Sequence, residues 1–208
     1  MILDKYNIIF WDFDGVIKDS IEVKTKAFYH LFIEFGDIIA NKVKKHHLEH
    51  GGMSRFEKIP IYLEWANQEI SDKKINFFCE RFSSMVCQEV INSPWVEGVE
   101  KVIRNKPKRQ KYILVSATPQ KEIEIILQEI KIASFFDKVY GAPSSKKKVI
   151  EKELKRYNFP LSKFVMIGDA ESDYEAAKYS NISFILRKHN SNINLAKNIN
   201  ATIITNFK

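Results

Sequence analysis

The sequence of 208 residues is poor in cysteine, proline and glycine, and it has no long apolar run. The two cysteines, Cys79 and Cys87, would lie about 12 Å apart on one helix, which is too far for a disulfide bond. No stretch approaches the roughly 20 apolar residues of a membrane-spanning helix. The first ten residues contain Asp4 and Lys5 and lack a signal-peptide cleavage site. We therefore expect reduced thiols, no membrane partner and a cytoplasmic location.

Positive charge is only in moderate excess. Lys and Arg number 33 against 26 Asp and Glu, which gives a formal net charge of +7. A basic surface attracts nucleic acid or anionic metabolites. The lysines are spread along the chain among glutamates, so we attribute the excess to composition and expect no nucleic-acid partner. Hydrophobic residues make up 45% of the chain, which is typical of a globular protein. The length predicts one domain, or one domain and an insert. We expect a monomer or a homodimer.

Short apolar runs alternate with helix-like stretches over most of the chain. The strand-like runs are 7–11, 112–115, 138–140, 163–167, 182–186 and 201–204. The stretches with helical periodicity between them are 120–130, 147–157 and 172–179. This alternation predicts an α/β fold, a three-layer, Rossmann-like parallel sheet with helices on its faces.

One section breaks the alternation. Residues from about 20 to about 92 contain no good strand but show helical periodicity at 21–35, 56–67 and 71–91. We predict an α/β core formed by residues 1–18 and 94–208, interrupted by an α-helical lobe at 19–93. Ligands of such sheets bind at the carboxyl ends of the strands.

Four acidic side chains follow two of the strand-like runs. Asp12 and Asp14 are two residues apart, so their carboxylates face one cleft and repel each other unless a cation or a shared proton intervenes. Asp169 and Asp173 follow a later strand. Asp169 alone could simply cap a helix. The four together favour a hard divalent cation, Mg²⁺ above all.

Two further polar segments follow strands. Ser116-Ala117-Thr118 offers a hydroxyl and main-chain N–H groups to an anion, although Ser and Thr are also ordinary helix caps. Lys146 begins a predicted helix within Ser-Ser-Lys-Lys-Lys, and its neighbours Lys147 and Lys148 leave the register open. Carboxylates with a cation, a hydroxyl and a lysine can bind a phosphoryl group and stabilise it during transfer.

The order Asp-x-Asp-Gly-Val, strand-Ser, Lys and Gly-Asp-x-x-x-Asp resembles the haloacid dehalogenase superfamily of phosphohydrolases over essentially the whole chain. The helical lobe stands where that superfamily has its helical cap. Asp-Gly-Val-Ile-Lys-Asp-Ser and Gly-Met-Ser-Arg resemble segments of the β-phosphoglucomutase and phosphoglycolate phosphatase-like branch. The resemblance implies a small phosphate ester as substrate, with a sugar or polysaccharide-precursor phosphate suggested more loosely.

The resemblance also implies individual roles. Asp12 would be the nucleophile and Asp14 the general acid/base. The Mg²⁺ ligands would be the carboxylates of Asp12 and Asp169 and the main-chain carbonyl of Asp14, with Asp173 in support. Phosphate would be held by Ser116, Ala117 and Lys146.

Within the cap, Gly52 and Arg55 form the most site-like segment, and we expect them to contact substrate together with Lys24, with Lys58 as a weaker candidate. A Ser54-capped helix with a surface Arg55 is the alternative. The nearby histidines at 46, 47 and 50 have helical offsets, and we expect a solvated helix face, because no second cluster completes a metal site.

Three other functions stay open. Phosphonate cleavage in related enzymes uses a cap lysine, and Lys24 lies near the start of the cap. A phosphosugar mutase of this branch has a histidine twelve residues after the nucleophile, where this chain has Lys24, so a phosphatase is favoured. A catalytically silent binding module would suit the positive charge but not the intact acidic motifs.

Overall fold

The computed structural model describes residues 2–208 and contains a six-stranded sheet between helical layers. The strands are β1 Ile8–Trp11, β2 Lys111–Pro119, β3 Lys138–Ala142, β4 Phe164–Gly168, β5 Ser183–Arg187 and β6 Thr202–Ile204. Their order is β3-β2-β1-β4-β5-β6, and each neighbouring pair is parallel. The prediction of a Rossmann-like α/β fold is confirmed, and β1 lies in the interior of the sheet.

Along the chain, the helices lie between the strands. They are α1 Ile21–Phe32, α2 Asp37–Glu49, α3 Arg55–Trp65, α4 Asp72–Asn92, α5 Val99–Arg104, α6 Gln120–Glu129, α7 Lys146–Arg156, α8 Glu171–Tyr179 and α9 Ile193–Asn198. The first four lie between β1 and β2, where the sequence predicts a helical insert. Both cysteines are on α4 and are free thiols. Across residues 2–208, the search for a helix with the length and apolar content to cross a bilayer found none.

Both faces of the sheet are buried, which explains why the strands read as continuous apolar runs. Successive residues of a strand point to opposite faces. Ile9 and Trp11 of β1 belong to the core formed with α5 and α6. Ile8 and Phe10 belong to the core formed with α7 and α8. This packing holds β1 rigidly, and with it the polar residues that follow its last residue.

The helical insert has an aromatic core of its own. Phe28 of α1 lies 4.0 Å, between ring centroids, from Phe82 of α4. Phe32 lies 5.2 Å from Phe78 and 5.5 Å from Tyr62 of α3. These rings join the same hydrophobic cluster as Trp11, so the insert packs continuously onto one face of the sheet domain. We propose that the insert, residues 19–93, is the cap and that 1–18 and 94–208 form the core.

A buried ion pair joins the two parts. Arg55 is the first residue of α3, which starts with a capping box in which Glu57 accepts a hydrogen bond from Ser54 N at 3.0 Å. The guanidinium Nη2 and Nη1 donate to the Glu122 carboxylate of α6 at 2.6 and 2.8 Å. Ser83 of α4 also donates to Glu122, at 2.5 Å. Arg55 is therefore buried and paired, not the surface arginine of the alternative interpretation.

The pair should contribute measurably to stability. Glu122→Gln leaves a buried guanidinium without its anion, and breaking a buried pair in this way costs about 3–5 kcal/mol. We expect the free energy of unfolding, from urea denaturation, to fall by that order. Glu100→Gln is the control, because Glu100 pairs with Arg104 on the exposed surface, where such pairs contribute about 0–1 kcal/mol. Equal losses in the two variants would contradict the expectation.

Candidate active site

The last residues of β2, which include Ser116, Ala117 and Thr118, meet the segments that follow β1 and β4 at one edge of the sheet. Trp11, the last residue of β1, is in register with Leu114 of β2 and Ile167 of β4. Because the three strands are parallel and in register, the residues beyond these paired positions lie close together. Asp12 therefore lies between the last residues of β2 and the turn that contains Asp169.

Three carboxylates form a close group at this edge. Asp12, Asp169 and Asp173 each offer one oxygen, and the three oxygens lie within 4.8 Å of one another. Burial raises the pKa of each carboxyl above its ordinary value, the neighbouring carboxylates add to the effect, and Lys146 opposes it. Three buried oxygen donors that repel each other fit a hard divalent cation such as Mg²⁺.

Lys146 bridges two members of this carboxylate group. Its Nζ lies 2.9 Å from Asp12 Oδ2 and 2.5 Å from Asp173 Oδ1. Although burial lowers the pKa of Lys146, these two carboxylates raise it above its ordinary value, so the side chain stays charged. Lys147 and Lys148 are exposed. The register that the sequence left open therefore places Lys146 in the site, at the first residue of α7.

Asp14 points away from the carboxylate group into a cradle of donors. Its Oδ2 accepts hydrogen bonds from Lys24 Nζ at 2.5 Å and Thr118 Oγ1 at 3.1 Å, and its Oδ1 accepts one from Ser20 Oγ at 2.6 Å. Burial opposes ionisation, but Lys24 and the two hydroxyls lower the pKa of Asp14 overall. The Asp14 side chain is thus no metal ligand, which leaves only its main-chain carbonyl for that role.

Lys24, which the sequence predicts to contact substrate, lines the same cavity as Asp12 and Asp14. Its ammonium binds Asp14 and donates to Thr118 Oγ1 at 2.8 Å, and the side chain is buried. The sequence analysis did not identify Ser20 and Thr118 as donors to Asp14. Ser20 stands in a segment quoted for the family resemblance, and Thr118 stands in the segment proposed to bind an anion. Their contact with Asp14 depends on how α1 and the end of β2 pack together.

Asp169 is held from two sides. Gly15 has a positive φ of +74°, and a Cβ there would lie 2.4 Å from Asp169 Oδ2, so only glycine fits. His189 Nε2 lies 2.9 Å from the same oxygen, and Asn192 Nδ2 donates to the Asp169 main-chain oxygen at 2.8 Å. His189 and Asn192 were missed by sequence reasoning, and the only signal was that they follow the predicted strand 182–186.

Two cavities flank the loop that joins α2 to α3. The first, of about 590 Å³, is lined by Asp12, Asp14 and Asp169 and by cap side chains. The second, of about 820 Å³, is lined by Ser116 and Lys146. Ala117 lines both cavities. The predicted phosphate-binding residues therefore border the second cavity, and of these Lys146 also contacts Asp12 and Asp173.

Ser116 and Gly52 both lie in closely packed surroundings. The Ser116 hydroxyl is buried and accepts a hydrogen bond from Thr118 N at 3.1 Å. A Cβ at Gly52 would lie 1.7 Å from the Ser172 hydroxyl of α8. Gly52 therefore lies at a contact between the cap loop and the core, where it lines both cavities.

The expected solvated histidine face is wrong for one residue. His47 is buried, and its Nδ1 lies 2.9 Å from Lys58 Nζ. His46 and His50 stack on each other with ring centroids 4.0 Å apart. Within residues 2–208, the only cluster of three or more metal-type ligands is the carboxylate group.

Comparisons with known proteins identify the family of the chain. The model of the haloacid dehalogenase-like hydrolase family matches residues 8–187. A phosphorylated carbohydrates phosphatase of Thermotoga maritima is 27% identical over 186 residues, which are 85% of this chain and 82% of that protein.

Two solved structures are similar in fold. A predicted phosphoglycolate phosphatase from Haemophilus somnus 129pt has a TM-score of 0.76 at 16% identity, over 98% of this chain and 95% of that one. A β-phosphoglucomutase from Clostridium difficile has a TM-score of 0.76 at 22% identity, over 97% and 92%. At these identities the likeness concerns the fold alone.

The family match spans most of the chain, from β1 to the end of β5. It includes the motif with Asp12 and Asp14 and the motif with Asp169 and Asp173. The resemblance drawn from those motifs is confirmed, and with it the prediction of a phosphatase-type enzyme. The protein belongs to the haloacid dehalogenase-like hydrolase family.

Proposed function

We propose that the protein is a Mg²⁺-dependent phosphomonoesterase that hydrolyses a small phosphorylated metabolite through an aspartyl-phosphate. The observation that carries the proposal is the position of Asp12, whose carboxylate faces Lys146 at 2.9 Å and borders the cavity shared with Asp14 and Asp169. The name of the Thermotoga maritima relative supports a carbohydrate phosphate as the substrate class.

In the first step the Asp12 carboxylate attacks phosphorus, and the bond from phosphorus to the ester oxygen breaks. Asp14 in its protonated form donates a proton to the leaving alcohol. Lys146, the Ser116 hydroxyl and the Ala117 N–H stabilise charge on the phosphoryl oxygens. The carboxylates of Asp12 and Asp169 and the Asp14 carbonyl, with Asp173 in support, would hold Mg²⁺, which would neutralise charge on the phosphoryl group.

In the second step Asp14, now anionic, takes a proton from water as that water attacks phosphorus. Phosphate is released and the Asp12 carboxylate is restored. The donors Lys24, Ser20 and Thr118 favour the anionic form of Asp14, which is the form that a general base needs. We assign Lys24 to the positioning of Asp14, because its ammonium is already bound there.

Removing the nucleophile should abolish turnover. Asp12→Asn has the same shape but no nucleophilic oxygen anion, so we expect hydrolysis of p-nitrophenyl phosphate below about 1% of the wild-type rate. Asp72→Asn is the control, because Asp72 is exposed at the start of α4. Retention of several per cent activity by Asp12→Asn would exclude the nucleophile role.

Replacing Asp14 should separate the two steps. An aryl phosphate has a good leaving group that needs little protonation, whereas water attack still needs the base. Asp14→Asn should therefore accumulate phosphoenzyme and slow steady-state turnover by about 10²–10⁴-fold. Acid quenching followed by intact-mass measurement detects the covalent species. Unchanged turnover, or slowing without phosphoenzyme, would count against the assignment.

Divalent metal should bind at the carboxylate group. Chelation should abolish phosphatase activity, and Mg²⁺ should restore it. We expect Asp169→Asn to weaken Mn²⁺ affinity, measured by electron paramagnetic resonance, at least about tenfold, since even outer-shell partners of metal ligands contribute that much. Glu129→Gln, exposed at the end of α6, is the charge-matched control. Equal Mn²⁺ affinity in the two variants would place the metal elsewhere.

A further inference from the structure

The cap side of the first cavity holds a buried lysine that has no acidic partner. Lys58 of α3 is 1% exposed and lines the cavity that reaches Asp12. Its Nζ lies 2.9 Å from His47 Nδ1 and 5.7 Å from the centroid of the Phe28 ring. No carboxylate oxygen of residues 2–208 forms an ion pair with it within 4.0 Å. A buried ammonium without an anion is unfavourable.

The neighbouring buried cations are already neutralised. Lys24 is paired with Asp14 at 2.5 Å, and Arg55 is paired with Glu122 at 2.6 Å. Exposed carboxylates such as Glu49 and Glu171 also border the cavity, but neither pairs with Lys58. The cap side of the cavity therefore has one unpaired buried positive charge.

Lys58 and His47 together offer the first cavity N–H donors and no hydrogen-bond acceptor. Burial, and then the charge of Lys58, lower the pKa of His47 well below its ordinary value, so the imidazole is neutral. Its Nδ1 accepts from Lys58, which places the ring proton on Nε2. Burial, and then Lys24, lower the pKa of Lys58 to about 7, although the charges of Glu57 and Asp14 oppose this shift. An anion that binds directly to the ammonium would therefore stabilise its charged form. A surface of N–H donors alone suits an anionic ligand.

Lys58 and His47 line the same cavity as Asp12, the proposed nucleophile. One cavity of about 590 Å³ connects Lys58 to Asp12, and the rings of Phe28 and Phe82 line it. A phosphoryl group on Asp12 thus leaves room for a carbon skeleton that extends toward Lys58. One unpaired charge matches a carboxylate better than the two charges of a second phosphate.

We propose that Lys58, supported by His47, is a specificity-determining site that binds a carboxylate of the substrate. The substrate is then a phosphate ester that also carries an acid group, such as a phosphorylated sugar acid. This inference rests on the proposed phosphatase function and narrows it.

The test compares two open-chain substrates that differ at the far end, 6-phosphogluconate and sorbitol 6-phosphate, with p-nitrophenyl phosphate reporting the core chemistry. We expect wild-type kcat/KM to favour 6-phosphogluconate by at least about tenfold, as for one charged hydrogen bond. Lys58→Met should remove that preference through KM while the other two substrates change less than about twofold. Lys58→Arg should restore part of it, because it keeps the charge.

Lys44→Met is the control for net charge, since Lys44 is exposed on α2. Absence of a preference in the wild type, or an equal loss on all three substrates in Lys58→Met, would overturn the proposal. Hydrolysis of p-nitrophenyl phosphate in either case shows that the phosphatase function itself holds.

A measurement on the wild type covers the case in which the variants do not fold. Ligand-observed nuclear magnetic resonance compares binding of gluconate and sorbitol, and it requires no catalytic activity. Binding of gluconate but not of sorbitol supports the carboxylate site. Equal binding of the two, or of neither, contradicts it.

Discussion

The site depends on keeping three mutually repelling carboxylates together in a buried place. Asp12 and Asp169 follow two parallel strands whose ends are in register, and Asp173 lies in the first turn of α8, so that one oxygen of each lies within 4.8 Å of the others. One lysine, Lys146, offsets part of that repulsion by contacting two of them. A bound cation would offset the remaining repulsion between the carboxylates. The position of Asp169 also requires a glycine at residue 15, because a side chain there would collide with the Asp169 carboxylate.

The same edge of the sheet gives two neighbouring aspartates opposite properties. Asp12 is buried among other carboxylates, which raises its pKa, whereas Asp14 is surrounded by donors, which lower it. Environments that push the pKa values of two nearby carboxyls apart are a common way to give them different roles. Here the separation is consistent with a nucleophile that needs a cation and a base that does not.

The cap has an aromatic interior, and it packs on the core through a continuous hydrophobic cluster and through polar contacts. The Arg55–Glu122 pair and the contact of Gly52 with Ser172 hold the cap over the carboxylate group. The first cavity, of about 590 Å³, is bordered both by cap residues and by Asp12 and Asp169. Because Arg55 is paired with Glu122, we assign the proposed carboxylate recognition on the cap side to Lys58, which has no ion-pair partner among residues 2–208.

The sequence by itself determined the strands of the sheet, the place of the helical insert and the four motifs with their order, since apolar periodicity and strand-end motifs are local features. It gave weaker signals for α2, whose buried face is small. The tertiary structure alone decided which lysine reaches Asp12, that Arg55 meets Glu122 across 67 residues, and that His189 supports Asp169. Those contacts join side chains on different elements, and their geometry follows from how helices pack on the sheet, which no local pattern encodes.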